Sequence, residues 1–366
     1  MRVLFATNHT YLPDRVGGSE LSTHDLCLTL QERGVQVGVM SALLPWAPLA
    51  VRRRLAWLLR AERDFARDEP FGYPVFRCKH PVEAVRAVVD AFGPSVTVLQ
   101  AGRPLALFDP FAALDVPCAV YLRDAFFDDL GGAVVQRRGV RYVATSHDLA
   151  LRFATAFGIH PLRIPPLIRP DRYRVERPGT HVTFVCPVRG KGLDVALGLA
   201  ARRRDIPFLF VESWPVRRLD RVALHAKMRP TPNISYRRPT GDMRTVYRDT
   251  KILLVPSRWP EAWGRVVSEA QLSGIPVLAS LTGGLPESVG PGGVLIDPAA
   301  DLDQWERALA QMWDDDVEYE RLAELARRHA VRPEFQPEAI IEQLLAVLGE
   351  LAATRTDALL RERDVS

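Results

Sequence analysis

The sequence predicts an α/β protein that consists of two doubly wound parallel sheets in tandem. Three observations support this prediction. The chain has 366 residues, more than one hydrophobic core usually organises. Short, nearly continuous apolar runs alternate with longer amphipathic segments, which is the pattern of parallel strands covered by helices on both faces. A proline-rich segment at 164–170 interrupts this alternation, and a second alternating series follows it.

The first series starts with an apolar run at 3–6, which we interpret as a strand. A polar loop with Gly17 and Gly18 follows, and we predict a helix from about Glu20 to Glu32. Gly34 suits the end of this helix, because glycine readily adopts the left-handed conformation found beyond helix C-termini. The remaining strands of the series are predicted at 35–40, 96–100, 118–122 and 142–145.

The second series predicts another sheet of the same kind. Its strands are expected at 182–185, 208–211, 252–255, 277–279 and 294–296, and its helices include 193–203 and 266–272. A leucine- and alanine-rich helix is expected from 337 to about 363. We therefore predict a first domain at 1–168, a second at 169–336, and a C-terminal helical segment at 337–366.

Composition and charge limit which ligands, metal sites and membrane segments are expected in this chain. The net charge of +4 and pI near 9.0 suit a phosphate-bearing ligand or an anionic membrane surface. The basic residues are dispersed and form no nucleic-acid motif, so no nucleic-acid partner is expected. None of the four cysteines forms a CxxC pair, which predicts neither a disulfide framework nor a zinc site. An N-terminus that enters a strand at once, and apolar runs too short for a membrane span, predict a cytoplasmic protein.

The segment 51–60 (VRRRLAWLLR) is basic and amphipathic. Such a segment suits peripheral contact with an anionic membrane, here the inner face, or with a polyprenyl-linked acceptor. A helix packed on the sheet with its arginines in solvent is the alternative, since basic helix faces are common. Both interpretations stay open at this point.

The segment 256–269 (PSRWPEAWGRVVSE) carries the strongest functional pattern. With a helix beginning after Gly264, Glu261 lies in the preceding loop and Glu269 about a turn and a half inside the helix. Free backbone N–H groups at a helix start suit a polar or anionic ligand. Each carboxylate can accept hydrogen bonds from a pair of vicinal hydroxyls. The pattern therefore suits a ligand that contains both a sugar and a ribose.

Two glycine-containing loops follow predicted strands. Arg189 and Lys191 flank Gly190 after the first strand of the second series, where two cations can neutralise a diphosphate. A solvated basic turn is the alternative. Gly17 and Gly18 lie beyond the first strand, the edge at which open α/β sheets bind ligands, although a plain turn is also consistent. Neither the GxGxxG spacing nor an acidic residue ending the second strand is present, which excludes a nicotinamide-dinucleotide fingerprint.

These motifs, together with the Gly-Gly-Leu-Pro-Glu turn at 283–287, resemble the donor site of retaining glycosyltransferases of the GT-B fold, family GT4. The resemblance spans nearly the whole chain and is most specific at 181–297. It implies two Rossmann-like domains that face a cleft, an N-terminal acceptor-binding domain, a C-terminal nucleotide-sugar-binding domain, and a C-terminal helix that crosses back onto the first domain.

The resemblance also implies roles for individual residues. Lys191 would contact the donor phosphates. Many members carry an arginine five residues before this lysine. That position is Cys186 here, so Arg189 would be the partner of Lys191. Glu261 would bind hydroxyls of the transferred sugar, and Glu269 those of the ribose. The implied catalytic residues are Lys191, Glu261 and Arg189. The implied donor-binding residues are Gly17, Gly18, Arg189, Lys191, Glu261, Ala262, Trp263, Gly264, Arg265, Val266 and Glu269.

The first domain departs from the family pattern after its strand at 118–122. Arg123 and Asp124 stand near the point where many members carry a histidine that contacts the sugar. They could hold an acidic acceptor or hydroxyls of the donor, or form an ion pair at the strand end. His147 is a further candidate contact, with a capping or surface role as its alternative.

The implied activity is transfer of a sugar, with retention of configuration, from a nucleotide-diphosphate sugar to a hydroxyl acceptor such as a growing glycan, a lipid-linked saccharide or a secondary metabolite. UDP donors are the commonest in the family. The predicted donor loops contain no Asp-x-Asp metal motif, so neither a metal nor a further cofactor is expected. A nucleotide-sugar epimerase and a non-catalytic sugar- or nucleotide-binding protein are the alternatives.

Overall fold

The computed structural model describes residues 1–43, 64–136, 139–176, 179–213 and 218–363. The chain divides into two compact units, of which the second spans Ile168–Gln336. The first unit joins Met1–Leu167 with the segment that begins at Pro337. The basic segment 51–60, a candidate membrane contact, lies outside the described residues. Among the residues that are described, no helix has both the length and the apolar character needed to cross a membrane.

The first unit contains one sheet with strand order β3-β4-β2-β1-β5-β6-β7-β8. All neighbouring strands are parallel except β3 and β4, which run antiparallel. The strands are β1 Arg2–Thr10, β2 Gln36–Ala42, β3 Phe65–Asp68, β4 Val75–Cys78, β5 Val96–Gln100, β6 Cys118–Leu122, β7 Val140–Ala144 and β8 Leu162–Arg163.

Helices cover this sheet. They are α1 Gly18–Glu32, α2 Pro81–Phe92, α3 Phe108–Ala112 and α4 His147–Phe157, with short 3-10 helices at Pro104–Leu107 and Phe127–Asp129. The C-terminal helix Pro337–Arg363 packs on the same unit. Its residues Ile341 and Leu344 are fully buried in the core that contains Val3 and Phe5 of β1. Burial of these apolar side chains fixes the helix to the first unit.

The second unit is a parallel sheet with strand order β11-β10-β9-β12-β13-β14. Its strands are β9 His181–Val185, β10 Phe208–Val211, β11 Ile234–Arg237, β12 Thr250–Val255, β13 Val277–Ser280 and β14 Gly293–Ile296. Its helices are α5 Pro170–Tyr173, α6 Leu193–Arg202, α7 Arg218–Met228, α8 Arg244–Tyr247, α9 Arg265–Gln271, α10 Leu285–Val289, α11 Leu302–Asp314 and α12 Asp316–Ala330, with 3-10 helices at Arg189–Lys191 and Pro333–Phe335.

The strand order of the second unit determines where a ligand can bind. The chain moves outward from β9 through β10 to β11, then returns to β12 on the other side of β9. In such sheets the loops that follow the two strands at this reversal diverge and leave a crevice beyond their carboxyl ends. The loop after β9 contains Arg189 and Lys191, and the loop after β12 contains Glu261.

The α/β class and the two parallel sheets are confirmed, and the first sheet has in addition one antiparallel pair at its edge. β3 and β4 form an antiparallel hairpin that the sequence pattern did not reveal. Arg77, 1% exposed, interrupts the apolar run of β4. Its guanidinium donates to the Asp68 carboxylate and to the Leu12 carbonyl oxygen, which compensates for burial of the charge.

Candidate functional site

The loops after β9 and β12 pack against each other without room for additional side-chain atoms. Gly192 has φ +83°, and a Cβ built on it would lie 1.9 Å from the carbonyl oxygen of Pro256. A Cβ on Gly190 would lie 2.0 Å from the ring of Trp259. The N–H of Arg258 donates to the Gly190 carbonyl oxygen at 2.9 Å. The glycines therefore permit the close approach that brings the cationic loop to the carboxylate loop.

Lys191 and Glu261, predicted from separate motifs, meet at this junction. Nζ of Lys191 lies 2.5 Å from Oε1 of Glu261 and 5.4 Å from the centroid of the Trp259 ring. The same Oε1 accepts hydrogen bonds from Ser257 Oγ at 2.5 Å and from Trp259 Nε1 at 3.2 Å. The side chains of Lys191 and Glu261 are 21% and 11% exposed. Three donors thus orient a carboxylate that is still accessible from solvent.

The Gly-Gly-Leu-Pro-Glu turn supports Glu261 from the other side. The N–H of Gly284 donates to the Glu261 carbonyl oxygen at 2.7 Å. Gly283 has φ +56°, and a Cβ there would lie 2.3 Å from that same oxygen. Gly264, with φ +87°, precedes α9 and leaves no space for a Cβ beside Leu285. Side-chain size is therefore limited at Gly283 by the backbone of Glu261 and at Gly264 by the side chain of Leu285.

Arg189 lies in the 3-10 turn with Lys191, and its side chain is exposed. It borders a groove that is also lined by Gly190, Leu193, Asp194, Leu197, Lys227 and Arg258. In this groove Arg258 donates to the Asp194 carboxylate at 2.6 Å. Burial tends to raise the pKa of Asp194, but the hydrogen bond and charge of Arg258 outweigh it and lower the pKa.

Glu269 is placed differently from Glu261. It is 2% exposed, and both of its carboxylate oxygens accept charge-assisted or short hydrogen bonds. Arg265 Nε donates to Oε1 at 2.6 Å, and the Tyr247 hydroxyl donates to Oε2 at 2.6 Å. Arg265 Nη2 in turn donates to the Tyr173 hydroxyl at 2.7 Å. Complete burial and the adjacent Glu269 carboxylate raise the pKa of Tyr247 well above its usual value.

The other implied donor contacts lie along the same loop and helix. Trp263 is 4% exposed, and its Nε1 donates to Ser268 Oγ at 2.9 Å. Ala262 and Val266 are half-buried. Cys186 has φ +64° at the end of β9, and burial raises the pKa of its thiol to about 11. A neutral thiol supplies no positive charge, so cations of this loop come from Arg189 and Lys191.

A buried polar group at the end of β10 was missed by the sequence reasoning. Glu212, 1% exposed, immediately follows β10 and accepts two hydrogen bonds from Arg221, at 3.0 and 2.9 Å, and one from the Tyr236 hydroxyl. The sequence signal for it was a carboxylate directly after the apolar strand at 208–211. In open α/β sheets, ligands bind beyond the carboxyl ends of the strands, which is where such a residue lies.

The first unit brings Arg123 to the glycine loop. Arg123 Nη1 donates to the Ser19 carbonyl oxygen at 2.9 Å and to Thr23 Oγ1 at 3.1 Å, so it ties the end of β6 to α1. Gly17 precedes α1, and Gly18 is its first residue. Glu20 is buried close to Gly17, and this burial raises its pKa. The carboxylate of Glu20 therefore lies beside the glycine loop.

Asp124 and His147 lie in two further local settings of the first unit. The Asp124 carboxylate accepts from the Phe126 N–H at 3.2 Å. His147 is exposed at the first position of α4, where the hydroxyl of Ser146 provides the cap. The cap of this helix is therefore Ser146 and not His147. Sugar or acceptor contacts by Arg123, Asp124 and His147 stay predictions.

Residues 188–329 match the family model described as glycosyl transferases group 1. A D-inositol 3-phosphate glycosyltransferase of Salinispora arenicola is 32% identical over 307 residues, 78% of this chain and 65% of the relative. That of Corynebacterium diphtheriae is 39% identical over 117 residues, 31% of this chain and 26% of the relative. The chain thus matches less than two thirds of the length of these curated relatives.

Solved structures share the fold at low sequence identity. Sucrose-phosphate synthase from Thermosynechococcus elongatus has a TM-score of 0.77 at 17% identity, with 97% of this chain and 100% of that chain covered. Anabaena HepE in complex with UDP-glucose has a TM-score of 0.75 at 18% identity, with 96% and 100% covered. The fold of the chain is therefore that of GT-B proteins.

Proposed function

We propose that this chain, whose fold is GT-B and whose residues 188–329 match the family model of glycosyl transferases group 1, is a retaining glycosyltransferase that uses a nucleotide-diphosphate sugar. The observation that carries the proposal is the pairing of Lys191 with Glu261 at the strand-order reversal of the second unit. A cation for phosphate and a carboxylate for sugar hydroxyls lie there within one hydrogen bond of each other.

The donor diphosphate replaces Glu261 as the partner of Lys191 in this proposal. Lys191 and Arg189 then neutralise the charge that grows on the leaving diphosphate as the bond between the anomeric carbon and its oxygen breaks. Glu261, still held by Ser257 and Trp259, accepts hydrogen bonds from hydroxyls of the sugar. Its fixed orientation places the anomeric carbon relative to the phosphate.

The acceptor hydroxyl attacks the anomeric carbon from the face that the diphosphate leaves. Its oxygen forms the new bond to that carbon, and its proton passes to an oxygen of the departing phosphate. The products are the glycosylated acceptor, with the original anomeric configuration, and a nucleoside diphosphate. The scheme includes no metal ion, because the two cationic side chains take the role of charge neutralisation.

The relatives suggest which substrates to test first. The Salinispora protein is named for action on D-inositol 3-phosphate, and the HepE structures contain UDP or UDP-glucose. We therefore propose a UDP-sugar donor and a hydroxyl acceptor, with phosphorylated polyols as the first acceptor class and lipid-linked saccharides as the second.

The deciding experiment has two stages. Thermal shifts with UDP, GDP, ADP and dTDP, with and without magnesium, identify the nucleotide, since a ligand that binds only the folded state raises its stability. The matching nucleotide sugars are then incubated with the acceptors, and the anomeric configuration of the product is read by NMR. Two results together support the proposal. The wild type transfers the sugar with retention of the anomeric configuration, and transfer is lost in Glu261→Gln but kept in the surface control Glu324→Gln.

Other results would contradict it. Inversion at the anomeric carbon overturns the retaining assignment. Release of an epimerised sugar without transfer identifies an epimerase. Binding of a nucleotide sugar without turnover on any acceptor favours a binding protein.

A further inference from the structure

The strand order of the first sheet reverses beside β1. The chain runs outward from β1 through β2 to the hairpin of β3 and β4, then returns to β5 on the other side of β1. At such a reversal the loops after the two central strands diverge and leave a crevice for a ligand. The loop after β1 ends at Gly17, and α1 begins at Gly18, so the first turn of α1 lies at this crevice.

Hydrogen bonds join the start of α1 to the carboxyl ends of β5 and β6. Thr23 lies in the second turn of α1, Gln100 is the last residue of β5, and Arg123 is the first residue after β6. Gln100 Nε2 donates to Thr23 Oγ1 at 2.6 Å, and Arg123 Nη1 donates to the same oxygen at 3.1 Å. The Thr23 hydroxyl in turn donates to the Ser19 carbonyl oxygen at 2.8 Å. One donated and two accepted bonds use the full capacity of this hydroxyl.

Arg123 bridges two oxygens of α1 with one terminal nitrogen. Besides its bond to Thr23, Nη1 donates to the Ser19 carbonyl oxygen at 2.9 Å, so each of its two protons has an acceptor. Ser19 and Thr23 are four residues apart and therefore adjacent on one helix face. The guanidinium carbon lies 4.2 Å from the centroid of the Tyr121 ring, which adds a cation–π contact with β6. The planar cation thus joins β6 to the first turns of α1.

Burial makes these contacts costly to lose. Thr23 is 1% exposed, Gln100 is 2% exposed, and Arg123 is half-buried. A buried polar group that loses its partner is not rescued by water. Arg123 also brings charge to the glycine loop, because burial raises the pKa of Glu20 while the charges of Arg15 and Arg123 oppose this rise. Arg123 therefore acts on the start of α1 through both hydrogen bonds and charge.

We propose that Arg123 is a positioning residue for sugar transfer. Through Ser19 and Thr23 it fixes the start of α1, and with it Gly17 and Gly18, in the conformation that the reaction requires. This inference rests on the proposed function. It gives Arg123 a role that passes through the backbone of the glycine loop, in addition to the direct contact with sugar or acceptor that its place in the sequence predicts.

The test uses variants of the full chain that break the network from either side. Arg123→Ala removes the guanidinium, Thr23→Val removes the hydroxyl and keeps the shape of the side chain, and Thr23→Ser keeps a hydroxyl. The matched control is Arg152→Ala. Arg152 is also a half-buried arginine of the first unit, but it belongs to α4, lies 5.5 Å from the Phe127 ring centroid, and donates to the Ala125 carbonyl oxygen at 3.1 Å.

Two quantities are measured for each variant at a temperature well below its melting temperature. The first is kcat of transfer from UDP-glucose to D-inositol 3-phosphate, or to and from the substrates that the assays of the proposed function identify. The second is hydrogen exchange in the protein without ligand, read by mass spectrometry on peptides that cover 17–23. For Arg123→Ala, kcat is also measured with added ethylguanidinium, which replaces the missing part of the side chain, and with ethylammonium, which lacks the planar fork.

We expect Arg123→Ala and Thr23→Val to lower kcat about tenfold or more, the effect of losing a hydrogen bond to a charged group. In both variants exchange at 17–23 should become faster, while peptides of the second unit keep the wild-type exchange. Ethylguanidinium should restore part of the kcat of Arg123→Ala, and ethylammonium should not. Thr23→Ser should stay close to the wild type, and Arg152→Ala should change neither quantity.

Three results would overturn the inference while leaving the proposed function intact. Loss of transfer in Arg123→Ala with wild-type exchange at 17–23 would assign the guanidinium a direct contact with a substrate. A wild-type kcat in Arg123→Ala, even with a lower melting temperature, would leave the residue a structural role only. A wild-type kcat in Thr23→Val would show that the bonds to α1 do not affect transfer.

Should Arg123→Ala fail to fold, the comparison of Thr23→Val with Thr23→Ser still decides, because neither variant changes the arginine. Failure of the wild type to transfer a sugar from any nucleotide sugar would instead overturn the proposed function and, with it, this inference.

Discussion

Nζ of Lys191 lies 2.5 Å from Oε1 of Glu261, so the residue expected to bind phosphate is the partner of the residue expected to bind sugar. We predict that Lys191→Ala weakens binding of the nucleoside diphosphate about tenfold or more, because a charge-assisted hydrogen bond to phosphate is lost. Calorimetric titration measures this change. The control is Lys227→Ala, which removes an exposed lysine from the neighbouring groove, and equal losses in both variants would contradict a specific role for Lys191.

Gly192 is expected to tolerate no side chain. Its φ of +83° and the 1.9 Å distance from a built Cβ to the Pro256 carbonyl oxygen combine backbone strain with a steric clash. We predict that Gly192→Ala lowers the free energy of unfolding by more than about 2 kcal/mol, measured by urea denaturation.

The control for this prediction is Gly72→Ala, since Gly72 has φ +81° and open space around its Cβ position. That variant isolates the cost of the left-handed backbone, about 1 kcal/mol. If the two variants lose the same stability, contact with Pro256 is not what excludes a side chain at Gly192.

The second unit was largely predictable from sequence because its local signals agree with one another. The strands predicted at 208–211 and 277–279 are apolar and bounded by turn residues, and the structure has β10 at Phe208–Val211 and β13 at Val277–Ser280. Short motifs also brought Lys191 and Glu261 into one hypothesis before their contact was seen. Consistency between local pattern and fold is what makes such an inference possible.

The edge of the first sheet was not predictable for the opposite reason. β3 and β4 are four residues each, and burial of Arg77 in β4 depends on the charge of Asp68 in the neighbouring strand. Such a pair looks like two unrelated polar residues in the sequence. The hydrogen bonds that join Glu269 and Arg265 to two tyrosines were missed in the same way, since Tyr173 and Tyr247 lie apart from Arg265 along the chain.

Asp68 is expected to contribute strongly to stability through Arg77. The two side chains are 5% and 0% exposed, so Asp68→Ala leaves a buried guanidinium without its counter-charge. We predict a loss of about 3–5 kcal/mol in unfolding free energy. Replacing both residues, as Asp68→Ala with Arg77→Met, should restore part of this loss.

The matched control is Glu69→Ala, which breaks the exposed ion pair with Arg67 and should cost less than about 1 kcal/mol. Chemical denaturation of all three variants measures the differences. A double variant less stable than Asp68→Ala alone would show that Arg77 contributes mainly through its bond to the Leu12 carbonyl oxygen.

His329 is expected to make stability depend on pH. It is 3% exposed, and burial, followed by the charge of Arg332, lowers its pKa below the usual 6.5. In the unfolded chain the imidazole gains its proton near pH 6.5, whereas in the folded chain it does so only at lower pH. The contribution is therefore fully present above pH 6.5 and is lost as pH falls toward the folded pKa.

We predict that lowering the pH from 7 to 5.5 reduces the free energy of unfolding less in His329→Gln than in the wild type, because glutamine does not titrate. Denaturation curves across this range measure the slope for the wild type, His329→Gln and the exposed control His147→Gln. The control should keep the wild-type slope. A wild-type slope retained in His329→Gln would assign the acid sensitivity to another group, and His9, whose pKa burial also lowers, would be the next residue to replace.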